Sequence, residues 1–127
     1  MTAATYDQMR GWGQAQSNDA GADRRPTEKR MIAHLRTYTI NKGMMDAWLK
    51  LFSDELVARM KESGIEVHSA WVNEERTQFI WIRTYGESLT DVEKKEAALY
   101  SSEWWKKNVD RVRSHLAHRD IKLIRSI

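Results

Sequence analysis

Thr77-Gln78-Phe79-Ile80-Trp81-Ile82-Arg83-Thr84-Tyr85 alternates large side chains along a run of β-branched and aromatic residues, and it reads as a strand. The four residues before it, Asn73-Glu74-Glu75-Arg76, have the length and polarity of a hairpin loop. A partner strand is therefore expected just upstream, over residues 65–72, which carry Val67, Ala70, Trp71 and Val72.

Outward from this hairpin the signals change period. Residues 31–40 (MIAHLRTYTI) form another strand, closed by Asn41-Lys42-Gly43. Met45, Trp48, Leu49, Phe52, Leu56 and Met60 then recur at helical spacing, and Ser63-Gly64 stops the helix. On the other side, Thr90-Asp91-Val92-Glu93 has the form of a capping box opening a helix to about Tyr100. Ser101-Ser102 interrupts it, and Trp105, Val109, Val112 and Leu116 mark a further helix. Residues 121–127 (IKLIRSI) are a last apolar run of strand length. The order is βαββαβ, so the fold class is α+β and the expected arrangement is ferredoxin-like. The domain is expected over residues 31–127. Residues 1–30 lack an apolar period and read as a flexible leader, although Tyr6, Met9 and Trp12 give that segment something to fold back with.

Composition narrows the function classes. At 127 residues one core is the default. The absence of cysteine removes disulfides, thiolate catalysis and Cys-based zinc sites. No stretch is long and apolar enough to span a bilayer, the first thirty residues lack the apolar run of a signal peptide, and a cytoplasmic location is expected, with no membrane partner. The net charge of +3 comes from interleaved acids and bases, which gives no broad basic face for nucleic acid. Gly-rich phosphate loops, a Gly-x-Ser-x-Gly elbow and a readable carboxylate pair are all missing, so nucleotide-driven and serine-hydrolase chemistry are disfavoured and no cofactor is expected.

In a sheet covered on one face by helices, one parity of each strand is buried. Assigning Ile80 and Ile82, with Ala33 and Leu35, to the helix side puts Phe79, Trp81, Arg83 and Tyr85 beside His34, Arg36 and Tyr38 on the open side. Each such ring offers about 150–250 Å² for burial, worth about 4–6 kcal/mol at 25 cal/mol/Å². An open face of that kind calls for a cover: a second copy enclosing a lined cavity, or RNA bases stacking on the rings. RNA is the weaker reading, because residues 78–83 lack the glycines of an RNA-recognition strand.

The string His34-Leu35-Arg36-Thr37-Tyr38-Thr39-Ile40-Asn41-Lys42-Gly43 resembles the opening signature of NIPSNAP-domain proteins. Gly64 through Trp71, Trp81 to Tyr85, and Ala98-Leu99-Tyr100 with Glu103-Trp104 resemble later motifs of that family, in order. The resemblance implies a homodimeric α+β barrel in which two ferredoxin-like sheets face each other around a pocket for a small-molecule ligand. Its superfamily includes cofactor-free monooxygenases and isomerase-like proteins. His34 stands where the family usually has glutamate.

His34 is the first candidate for catalysis, since an imidazole can take and return a proton without a cofactor. Arg36 and Arg83 would stabilise a carboxylate, phenolate or enolate beside it. Tyr38, Phe79, Trp81 and Tyr85 would wall in a flat, aromatic or polyketide-like anion, with His68 or Trp71, expected on opposite faces of their strand, as further contacts. The expected chemistry is proton transfer, as in an isomerase, cyclase or dehydratase, or reaction of the substrate with O₂; a non-catalytic binder of the same fold is the alternative. His115 and His118, three apart at the expected end of the last helix, fit the helix dipole better than a metal site, and no histidine is singled out as a haem ligand.

Overall fold

The computed structural model describes residues 30–127; the flexible leader expected over residues 1–30 lies, Arg30 excepted, outside the described residues. Strand β1 (Ile32–Ile40) is followed by helix α1 (Met45–Leu51), a π-helical turn (Phe52–Leu56) and helix α2 (Val57–Glu62). The hairpin strands are β2 (Glu66–Val72) and β3 (Gln78–Gly86). Helices α3 (Leu89–Tyr100) and α4 (Glu103–Arg113) precede β4 (Leu116–Arg125). The four strands form one antiparallel sheet in the order β2-β3-β1-β4, which is the ferredoxin-like topology expected from the element order.

The first helical segment shows why a π turn is useful. Residues four apart sit about 40° round from one another in a helix of 3.6 residues per turn. Trp48, Phe52, Leu56 and Met60 would therefore wind off the sheet over three such steps. The wider π turn at residues 52–56 takes back part of that drift, and all four side chains are buried.

Two boundaries differ from the sequence reading. The capping box of α3 is Ser88 with Asp91, two residues earlier than Thr90 with Glu93: the Asp91 amide donates to Ser88 Oγ, and the Ser88 amide donates to Asp91 Oδ2. Gly86 is needed just before it, because a Cβ there would lie 2.6 Å from that carboxylate oxygen. Strand β4 begins at Leu116, so Leu116 belongs to the sheet and His118 pairs with Thr39; His115 alone stays at the helix end, bonded through Nδ1 to the Arg111 carbonyl.

The largest correction concerns the faces of the sheet. Phe79, Trp81, Arg83 and Tyr85, with Arg36 and Tyr38, are buried beneath the helices, against Trp48, Phe52 and Met60, and are not on the open face. Ile80, Ile82, Leu35 and Thr37 occupy the open face and are only half-buried. Both parities of β3 are apolar, so the choice falls to bulk: three rings bury more area than two isoleucines. The two arginines follow the rings because helix α3 supplies a carboxylate to meet them.

Candidate functional site

That carboxylate is Glu96. It lies on α3 between Val92 and Leu99, whose side chains are buried, so it faces the sheet. Glu96 Oε2 accepts from Arg83 Nη2 at 2.9 Å and from Tyr85 Oη at 2.8 Å, with Arg36 Nη2 at 3.4 Å and His34 Nδ1 at 3.6 Å. Arg83 also donates through Nε to Tyr85 Oη at 2.6 Å and through Nη2 to Tyr100 Oη at 2.9 Å. Arg36 Nη1 donates to Tyr38 Oη at 2.8 Å, and both guanidinium carbons stand over the Trp81 ring, at 5.8 Å and 5.6 Å from its centroid. One carboxylate thus gathers His34, Arg36, Arg83 and Tyr85 from the two central strands.

The protonation states follow from this packing. Burial lowers the His34 pKa most, the Arg36 charge lowers it further, Glu96 opposes and Arg83 adds to the fall, leaving it at about 4. His34 is neutral at pH 7. Glu96 is pushed up by burial, but the hydrogen bond from Tyr85 and the Arg83 charge outweigh this and hold it below the usual carboxylate range. Burial raises the Tyr85 phenol, which keeps its proton. Glu96 can only accept, so Tyr85 donates its single proton there, and the Tyr85 oxygen is left to accept from Arg83 Nε and from His34 Nδ1, 2.9 Å away. That places the ring proton on Nδ1 and the free lone pair on Nε2; Arg36 Nη2, 3.2 Å from the same Nδ1 and able only to donate, asks for the opposite tautomer, so the two contacts compete for one nitrogen.

A stability effect follows, with a definite sign. The unfolded chain protonates His34 near pH 6.5 and the folded chain only near 4, so between those values the unfolded state holds more protons. Stability is expected to fall by about 3 kcal/mol as pH drops from 6.5 to 4. His34→Gln should flatten that part of a melting-temperature against pH curve; an unchanged slope would mean His34 titrates normally.

Next to the cluster, between sheet and helices, lies a cavity of about 30 Å³ lined by Arg36, Trp81 and Arg83 from the sheet and by Trp48, Tyr100 and Trp105 from the helices. It has room for about two waters.

The family-model comparison decides the family: the NIPSNAP model matches residues 33–126. The chain belongs to the NIPSNAP family. Solved structures agree on the fold. An uncharacterised NIPSNAP domain protein from Burkholderia xenovorans is 19% identical, with a TM-score of 0.66 over 74% of this chain and 92% of that one. A NIPSNAP family protein of unknown function from Agrobacterium tumefaciens is 22% identical, with a TM-score of 0.69 over 76% of this chain and 87% of the other. A candidate antibiotic biosynthesis monooxygenase from Nitrosomonas europaea is 13% identical, with a TM-score of 0.60 over 79% and 93%. No curated protein matches the chain by sequence. These neighbours share the ferredoxin-like α+β fold of this NIPSNAP domain.

Of the expected site residues, His34, Arg36, Arg83 and Tyr85 come together around Glu96, and Tyr38 and Trp81 adjoin them. Phe79 is apart, fully buried against Phe52. His68 and Trp71 are not in this site. A register shift between Val67 and Ser69 inserts an extra residue, so both lie on the open face and not on opposite faces as the simple alternation implies: Trp71 pairs with Ile80, and His68 lines a hollow with Ile82 and Thr84. Glu96 was the residue the sequence reading missed. Its signal was the spacing Val92, Glu96, Leu99, which puts an acid on a buried stripe. Among the described residues no helix is long and apolar enough to cross a membrane.

Proposed function

We propose that this NIPSNAP domain is a cofactor-independent small-molecule enzyme that holds an anionic substrate beside the Arg36–Arg83 pair and moves a proton on it through His34. The observation that carries this reading is an imbalance of charge. Two guanidiniums, each 3% exposed, share the single carboxylate of Glu96, and the histidine between them is neutral. A buried excess of one positive charge is costly in a resting protein and useful in a site that stabilises an enolate or carboxylate. The cavity is too narrow for a ring and His34 does not line it, so only the acid group of an aromatic or polyketide-like substrate would enter it, leaving the enolisable carbon outside. The proton step then serves an isomerase, cyclase or dehydratase, or exposes a carbanion to O₂, a reading to which the monooxygenase-like neighbour lends only its fold.

The second copy belongs to the open face. Ile80, Ile82, Leu35 and Thr37 are half-buried there, Trp71 is 42% exposed, and a hollow of about 510 Å³ lies at one end between Ala33, His68, Ile82 and Ile124. A sheet-to-sheet homodimer would cover this surface, as the superfamily's architecture leads one to expect. Ile82→Arg should convert a dimer to a folded monomer by native mass spectrometry and circular dichroism. A wild-type monomer at micromolar concentration would remove the dimer from the proposal.

A non-catalytic binder is the second reading, favoured by the three contacts within 3.6 Å that already engage His34 Nδ1. Deuterium exchange at the acidic carbons of small keto acids separates the two: exchange catalysed by the wild type supports the enzyme, and ligand binding without any exchange supports the binder.

A further inference from the structure

The small cavity is bordered by more N–H donors than the protein satisfies. Arg36 Nε, Trp48 Nε1 and Trp81 Nε1 are buried and have no hydrogen-bond partner among the described residues, and all three residues line this one cavity. The residues themselves are 3%, 1% and 2% exposed. Native interiors leave few buried donors unpaired, and three on residues that border one space draw attention to that space as a place for an acceptor. At its outer end the cavity is bordered by Arg113 of α4 and Arg119 of β4, both exposed and neither ion-paired with a described residue.

We infer that this cavity is a carboxylate-binding subsite, with the ligand's first carboxylate seated against Arg36, Trp48 and Trp81, and a second acidic group held outside by Arg113 and Arg119. The inference rests on the anion reading above and narrows the substrate class to dicarboxylates or similarly doubly acidic molecules. Room for about two waters admits a group as small as a carboxylate and excludes a ring. Indole and guanidinium N–H groups only donate, so an acceptor is the partner they lack. The excess charge of the cluster makes the same demand from the inner side.

Isothermal titration of the dialysed full chain with acetate, malonate, succinate, glutarate and inorganic phosphate tests the subsite. At least one dicarboxylate is expected to bind about tenfold more tightly than acetate, with phosphate weaker than either, and to raise the melting temperature. Trp81→Phe keeps a ring and deletes the N–H, and is expected to lose about tenfold in affinity. Arg119→Gln, an exposed change that leaves the core intact, should collapse the dicarboxylate preference over acetate. No binding of any carboxylate at millimolar concentration, phosphate binding most tightly, or unchanged affinity in both variants would each overturn the subsite. Carboxylate binding without deuterium exchange on any acid would leave the subsite standing and remove the enzyme; exchange on a monoacid without dicarboxylate preference would do the reverse.

Discussion

Phe79→Ala is expected to destabilise the domain by about 3–5 kcal/mol, whereas Ile80→Ala, one residue away, should cost under about 1.5 kcal/mol in the monomer. Phe79 is 0% exposed and its ring centroid lies 4.7 Å from Phe52 and 5.7 Å from Trp48, so truncation opens a void that these rings cannot close. In a domain of about a hundred residues such a loss lowers the melting temperature by more than about 12 °C. Ile80 is half-buried on the open face, and its loss should be read mainly in dimer affinity. Melting of both variants, at a concentration where the wild type is monomeric and at one where it self-associates, separates the two effects. If Ile80→Ala proved the more damaging at the lower concentration, the aromatic row would have to be moved back to the open face.

The contrast between those neighbours shows which features the sequence carries and which it withholds. Element order was legible because the period switches cleanly from two at residues 77–85 to nearly four at Trp48, Phe52, Leu56 and Met60, and element order is enough for the topology. Facing was not legible from β3 alone. Alternation tells which residues share a face, and here it grouped Phe79, Trp81, Arg83 and Tyr85 correctly with Arg36 and Tyr38. It does not tell which group is buried when neither is polar. Two arginines in the group argued for solvent only as long as no acid was known to meet them. Glu96, sixty residues from Arg36, removes that argument, and a pairing at such separation leaves no local mark. The bulge at Val67 and Ser69 was invisible for a similar reason: the register shift depends on the partner strand, and counting along β2 put His68 and Trp71 on opposite faces.

The candidate site is therefore an interior cluster, and its energetics differ from those of an open face. On an open face the arginines would be screened by water and the histidine would titrate near its ordinary value. Beneath α3, burial above all and the Arg36 charge after it keep His34 neutral beside two guanidiniums.

His34→Ala is expected to lower turnover by about 10²–10⁴-fold, the usual contribution of a positioned general base, while leaving substrate affinity nearly intact because the charges that hold the anion remain. The pH profile should carry a sharper signature. A base must be unprotonated, so with its pKa at about 4 in the free protein kcat/KM should stay level down through pH 6 and fall only towards 4. Part of that low value comes from Arg36 and Arg83, and a bound anion offsets their charge. The histidine in the complex should therefore be more basic, and the acid limb of kcat should lie at higher pH than that of kcat/KM. The ordering is useful to catalysis: the base stays ready in the empty site and gains proton affinity once substrate is seated. A kcat/KM limb near 6.5, or limbs in the opposite order, would mean that His34 is either solvated or uninvolved. Retained turnover in His34→Ala with a native circular dichroism spectrum would assign the proton step elsewhere, with Glu96 and Tyr85 the groups left within reach of the same hydrogen bonds.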